Sequence, residues 1–372
     1  PSLVMNSIKH LAYLFALVTL VTGVSCTRNG MPKKQSNARS RVEHLLIKEV
    51  FYVGHYSERD TRAWGFKSAP QLYDDDQYFT IYNPTDEVKY LDGLAIVSSA
   101  LDPSEIVEFA PKDNFVNRYY GAASMMCFPG KGQDYPIRPK QEIVVAKYAI
   151  DHQAAYLKNL EENNDGEPVN IKEYKGMEAF LDLRKADFEW TNRDYLSDTY
   201  KKYNNPEVPD MEAILVGTGK NGQPNPSFTF NYISARGGLA LIKLPWTKED
   251  FAQNYQDKKG HRGYYHYISI TSSSFADFYA IEIPFSHVID CVTICPKREY
   301  KQRTTKLDRG YTAVTELATS SMPKTEYAKF SGNALVRRWD GRKFVDDDNS
   351  TADFEVKVAS LSRKDEKGNV IK

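Results

Sequence analysis

Apolar and polar positions alternate in short runs along most of this 372-residue chain. Residues 45–53, 77–83, 94–98, 142–148, 213–217 and 227–234 form the first group, followed by 239–244, 264–271, 278–284, 287–294 and 334–339. Runs of five to nine residues suit strands, and many of them border turn signals such as Asn83-Pro84, Asp92-Gly93 and Gly237-Gly238. That rhythm predicts an all-β, antiparallel sandwich rather than β-α-β units. Helical spacing is confined to two places. Residues 151–163 place Ala154, Ala155, Leu157 and Leu160 behind an Asp151 N-cap, and Thr247 opens a short helix before Phe251 and Tyr255. Residues 161–210 are charged, Tyr-rich and weakly periodic. They extend the helix at 151 into an insertion of helix and loop, at about 151–210, beside the sheet core. Residues 361–372 are charged and predict a frayed tail.

The N-terminal pattern is different. After Met5, Lys9 and His10 precede a 14-residue apolar run from Leu11 to Val24, with Ser25-Cys26 following. The run is shorter than the ~20 residues a membrane-spanning helix needs. It therefore predicts a signal peptide at 5–25, cut before Cys26, whose thiol is then free for acylation. Gly23-Val24-Ser25-Cys26 resembles a bacterial lipoprotein box, with Gly23 where Leu is usual. Residues 26–43 carry Arg28, Lys33, Lys34, Arg39 and Arg41 without apolar periodicity and predict a flexible, lipid-anchored tether. The expected location is the cell envelope, anchored in the outer membrane, with the leaflet left open. The folded domain is then 44–360.

Composition narrows the chemistry. Lys+Arg and Asp+Glu are equal at 49 each, so no bulk positive field draws nucleic acid. Cys127, Cys291 and Cys295 remain after the anchor. Cys291 and Cys295 on one strand would lie about 13 Å apart, beyond the ~7 Å a disulfide allows. Either could meet Cys127, against the simpler reading of three buried thiols. Gly217-Thr218-Gly219-Lys220-Asn221-Gly222 spells a dinucleotide-binding fingerprint, but Pro224 and Pro226 follow where a helix must begin, so a hairpin or loop is expected. His261, His266 and His287 are the best metal candidates, and Asp74–Asp76 and Asp346–Asp348 could supply oxygen ligands to calcium. Exposed loop histidines and solvated or capping carboxylates are the favoured reading of both, so no metal, cofactor or catalytic residue is assigned. Among 25 Tyr, the pairs Tyr119-Tyr120 and Tyr200 with Tyr203, beside Gly or Asn turns, are the candidate binding surface.

Three separated stretches carry a resemblance. Leu46-Ile47-Lys48-Glu49-Val50, Gln77-Tyr78-Phe79-Thr80-Ile81-Tyr82-Asn83-Pro84 and Leu91-Asp92-Gly93-Leu94 resemble the opening of lamin-tail domains, with Leu94 replacing the usual Trp. Gly237-Gly238-Leu239-Ala240-Leu241 and Val288-Ile289-Asp290-Cys291-Val292 are similar to their middle strands. Asn333-Ala334-Leu335-Val336-Arg337-Arg338 and the stretch from Asp346 to Phe354 resemble their close, with Asp348-Asn349 for Asn-Asn. As a whole the chain resembles a family of Bacteroidota envelope lipoproteins of unknown function. The resemblance implies an immunoglobulin-like (lamin-tail-like) sandwich and no reaction. Asn83, Asp92-Gly93, Asp348, Asn349 and Asp353 are then expected to hold turns and loops together. The functional expectation is a binding or scaffolding module, accessory to an outer-membrane assembly and lacking catalysis. The alternatives are capture of a glycan or nutrient, or a metal- or carboxylate-dependent hydrolase.

Overall fold

The strand-forming runs pair into two large sheets, with three smaller ones beside them among the described residues. They are described in a computed structural model for residues 42–372, except 61, 63–64, 66–67, 110–114, 191–201, 219–223, 227–229, 255–263, 272–273 and 303. The two large sheets are built from β1 (Leu46–Phe51), β2 (Tyr78–Tyr82), β3 (Leu94–Ser99), β4 (Val107–Phe109), β5 (Tyr119–Cys127), β6 (Glu142–Ala146) and β7 (Phe188–Glu189). They are completed by β8 (Gly237–Lys243), β9 (Tyr264–Thr271), β10 (Ser274–Pro284), β11 (Val288–Ile294), β12 (Asn333–Arg337) and β13 (Phe354–Val358). One sheet runs β7-β6-β2-β1-β12-β13 and the other β11-β8-β3-β5-β10-β9-β4. Pairing is antiparallel except for β7 on β6. Helices α1 (His152–Glu162), α2 (Lys248–Asn254) and α3 (Ser350–Asp353) lie between strands. None among the described residues is long and apolar enough to cross a membrane.

Side-chain alternation assigns each strand two faces. Leu94 and Ile96 of β3 enter one core and Ala95 and Val97 another; β8 repeats this with Leu239 and Leu241 against Ala240 and Ile242. The first core also takes Phe79, Ile81, Ile143, Val145 and Leu335 from the six-stranded sheet, so the two sheets share it. In β1 the register slips between Ile47 and Glu49, and this bulge lets Ile47 and Val50 face the same core. The outer faces are covered too. Ile214, Trp246 and Phe251 of α2 pack on the seven-stranded sheet. Leu181, Leu183, Val208 and Ala359 pack against Phe51, Tyr78, Ala146 and Ala334 of the other. Burial on both faces is why Leu94–Val97 and Leu239–Ile242 contain no polar residue.

The expected helices form. Asp151 Oδ1 accepts from Ala154 N at 3.2 Å to cap α1, and Thr247 Oγ1 accepts from Asp250 N at 3.0 Å to cap α2. The glycine fingerprint is a hairpin in its described part, with Leu215–Thr218 antiparallel to Pro224–Pro226. Several expectations need correction. The run at 227–234 is not a strand over 230–234, where Gln77 Oε1 takes the Ile233 N–H at 2.9 Å. Strand β5 and the hairpin of His55–Arg59 with Ala69–Tyr73 escape the apolar pattern, the former because it begins Tyr-Tyr-Gly-Ala-Ala. Residues 161–210 are more than an annex, since β7 extends the sheet and Phe180, Leu181 and Trp190 are buried. The tail does not fray: Arg363 donates Nε to Phe180 O at 2.5 Å and pairs with Asp151.

One buried ion pair joins the sheets. Arg337 of β12 donates Nη2 to Asp290 Oδ2 at 2.5 Å, Nε to Ile47 O at 2.8 Å and Nη1 to Val345 O at 3.0 Å. Asp290, on edge strand β11, also accepts from Ile47 N at 2.6 Å and Cys291 N at 2.8 Å. The guanidinium sits 4.6 Å from the Phe354 ring centroid. Burial pushes the Asp290 carboxyl up, against the pull of Arg337. Nearby, Asp353 accepts from Asp347 N at 2.9 Å and Asn349 N at 3.0 Å, and Asn349 caps α3 through Thr351 N at 3.1 Å. Asn83 Oδ1 accepts from Thr85 N at 3.0 Å. Asp92 accepts from the backbone of Gly132, Asp134 and Tyr135, each at 2.9 Å. The motif residues Asn83, Asp92, Asn349 and Asp353 thus bind backbone.

Removing one partner of such a pair leaves an uncompensated buried charge. Arg337→Met is expected to destabilise by about 3–5 kcal/mol in urea unfolding, and adding Asp290→Leu should restore part of the loss. A second expectation concerns pH. His44 Nε2 lies 3.1 Å from Asp346 Oδ2. Burial lowers its pKa, but the hydrogen bond and charge of Asp346 outweigh this and raise it to about 9. The raised value means that the stabilisation is whole below pH 6.5 and is lost as pH rises through 9. The urea midpoint should fall over that window in the wild type and fall less in His44→Gln.

Candidate functional site

Four neighbouring strands of the seven-stranded sheet shape a cavity. Gly238 of β8 carries no side chain, and a Cβ there would lie 2.7 Å from Val292 O and 3.3 Å from Tyr120 Oη. The resulting hollow holds about 600 Å³, including its open mouth. Its walls are Tyr119 and Tyr120 of β5, Leu101, Val116, Phe285, Tyr300 and Leu307, with Cys291 and Thr293 of β11 at the floor. Tyr300, Gln302, Thr305, Leu307 and Asp308 close one side, held where Lys301 N and Gln302 N both reach Pro103 O, at 2.9 and 3.0 Å. Tyr300 is stiffened by stacking on Tyr311 with centroids 3.9 Å apart. A second, more polar cleft lined by Asp102, Ser124, Asn231 and Arg236 shares Ser99, Leu101, Gly237 and Gly238 as a common wall.

The polar groups of the cavity differ in what they have left to offer. Asp308 accepts from Thr293 N at 2.9 Å, Gly310 N at 2.9 Å, and Ser350 N and Oγ at 2.8 and 2.5 Å, so its charge is spent on the protein. The Cys291 thiol donates to Leu307 O at 3.4 Å. Ser99 Oγ donates to Leu101 O and accepts from Leu101 N, both at 3.0 Å. Tyr120 Oη is buried without a well-formed hydrogen bond, its polar neighbour Ser99 being turned to Leu101, and burial pushes its pKa well up, so it stays a neutral hydroxyl.

Sequence reasoning therefore found part of the site. Tyr119 and Tyr120 do line it, though on a strand and half-buried rather than beside a surface turn. Tyr203 belongs to another part of the structure, where its hydroxyl accepts from Asn159 Nδ2 of α1 at 2.5 Å and its ring packs 5.2 Å from that of Tyr148. It acts as packing there and is not part of this cavity. Tyr200 and Cys26 lie outside the described residues, as does His261. His287 is spent on Lys243 O at 3.1 Å. Among the described residues no three His, Cys, Asp or Glu side chains gather as a metal would need. The acidic runs serve the fold: Asp75 pairs with Lys147 at 2.9 Å, Asp76 with His55 at 2.7 Å, and Asp346 with Arg337 at 3.3 Å. Cys127, Cys291 and Cys295 are all free.

The sequence offered no signal for a second buried cluster. His55 Nδ1 meets Asp76 Oδ2, while His55 Nε2 and Ser362 Oγ are both buried and unpartnered. A Cβ on Gly332 would sit 3.4 and 3.5 Å from those two atoms. These residues come from sequence positions 55, 76, 332 and 362, and no local spacing links them. The cluster is enclosed, so it lacks the substrate access that a serine-histidine-aspartate site needs.

A mostly antiparallel β-protein with an aromatic-lined cavity on one sheet is the class that fold and site define. The family model described as "Protein of unknown function (DUF4876)" matches residues 138–361, more than half of the chain, and the chain belongs to that family. Among solved structures, it is similar to a DUF4876 family protein from Bacteroides thetaiotaomicron VPI-5482. The TM-score is 0.52 at 19% identity, covering 89% of this chain and 75% of that one. At that identity the likeness concerns the fold. No curated protein matches.

Thiol chemistry gives a direct check on the floor of the site. Burial pushes Cys127 and Cys295 up to about 12 and Cys291 well up from its ordinary value. At pH 8, Ellman's reagent should find these three thiols unreactive in the native protein and reactive after denaturation. Fast labelling of Cys291 in the native state would mean that the cavity floor is open to reagents.

Proposed function

We propose that this protein is a cell-envelope lipoprotein, anchored through Cys26, that works by binding a small ligand in the Tyr119–Tyr120 cavity. Its sheets are read as an immunoglobulin-like, lamin-tail-like sandwich. The observation that carries the reading is the cavity itself: a mainly aromatic and aliphatic wall with one uncommitted hydroxyl. That chemistry suits capture of a small molecule. Nutrient capture fits this geometry, and the basic tether at 26–43 would hold the domain near an anionic lipid surface.

A second reading, scaffolding of an outer-membrane assembly, is favoured by a different feature. Strand β13 ends the six-stranded sheet with Val356 and Val358 44% and 37% exposed, and Trp339 is 54% exposed. An uncovered apolar edge of this kind can add a partner strand.

One experiment separates the readings. The tagged protein is isolated from gently solubilised native membranes, and co-purifying proteins and small molecules are identified by mass spectrometry. A stoichiometric membrane protein lost on Val356→Lys would establish scaffolding; a small molecule lost on Val116→Trp would establish capture. Cys26→Ala should move the protein from the membrane pellet to the soluble fraction, and a variant that stays in the pellet would refute the anchor.

A further inference from the structure

The walls of the cavity restrict what can occupy it. Among the described residues no Lys or Arg side chain lines it, so an anionic group would find no counter-charge among them. Its one carboxylate, Asp308, is saturated by backbone and serine donors and offers little to a cation. The remaining wall is ring and aliphatic surface from Tyr119, Tyr120, Phe285, Tyr300, Leu101 and Leu307. Rings stack on or meet edge-on the flat faces of such side chains, which favours a planar occupant.

The second observation is the unpartnered hydroxyl. Tyr120 Oη sits beside Gly238 in the lining of the hollow, with its neighbour Ser99 engaged by Leu101. A buried hydroxyl without a partner is unfavourable in a folded protein. The Tyr120 oxygen is closed off from solvent, so a ligand atom pairs with it only where the side chains around it move aside. Resting on the capture reading above, we infer that the ligand is a neutral, planar, largely apolar ring compound carrying one hydrogen-bonding oxygen or nitrogen. That atom pairs with Tyr120 Oη while the ring lies between Tyr119, Tyr300 and Phe285.

Three probes of one shape test this: 2-naphthol, naphthalene and 2-naphthoate. Each is titrated by saturation-transfer NMR into the mature chain carrying Cys26→Ser, with thermal unfolding run in parallel to confirm folding. The expected result is that 2-naphthol binds about tenfold tighter than naphthalene, the worth of one well-made hydrogen bond, and that 2-naphthoate binds more weakly than 2-naphthol. Tyr120→Phe keeps the ring and should erase the preference for 2-naphthol while leaving naphthalene binding within about twofold. Val116→Trp, at the wall of the cavity, should abolish binding of all three. Equal affinity for 2-naphthol and naphthalene, or tightest binding of 2-naphthoate, overturns the ligand class but keeps the capture site, provided that Val116→Trp blocks it. No binding of any probe at millimolar concentration overturns both.

Discussion

Two full charges held out of water, Arg337 on β12 and Asp290 on β11, set the condition under which the sheets can pack. Neither charge is tolerable alone in that position, because desolvation of each costs several kcal/mol. Each is tolerable when the other strand delivers its partner and the Ile47 peptide supplies both an acceptor and a donor. The pair therefore fixes register between β1, β12 and β11 in a way that apolar contacts, which have no direction, cannot. The return loop through Asp346, Asn349 and Asp353 then closes over the same point.

Covering both faces of both sheets has a consequence for function. Most of the apolar strand surface is used up in cores, so a binding surface must come from a local omission. Gly237 and Gly238 provide one: where a side chain would fill the space above β8, the sheet is bare and Tyr120 leans over it. The nearby tyrosines then have two roles that cannot be told apart by composition. Tyr300 packs on Tyr311 and still presents a wall, whereas Tyr203 is consumed by α1 and Tyr148.

Periodicity and turn chemistry are local quantities, and they determined a great deal by themselves. The all-β class, nine of the thirteen strands of the two large sheets (β1, β2, β3, β6 and β8–β12), the Asp151 and Thr247 caps and the hairpin in place of a dinucleotide site all follow from neighbours within a few residues. So does the structural use of Asn83, Asp92, Asn349 and Asp353, whose short side chains reach nearby backbone. What the tertiary structure alone decided are relations between distant residues. Strand β5 forms because β3 and β10 flank it, despite a weak pattern of its own. Arg337 finds Asp290 across 47 residues, and His55 meets Asp76 and approaches Ser362. Of four proposed tyrosines the sequence marked Tyr119 and Tyr120, but only packing could place Gly238 beneath one of them and leave its hydroxyl without a partner. A side chain's propensity is written in the chain; whether its polar atom is satisfied depends on what the fold brings alongside it.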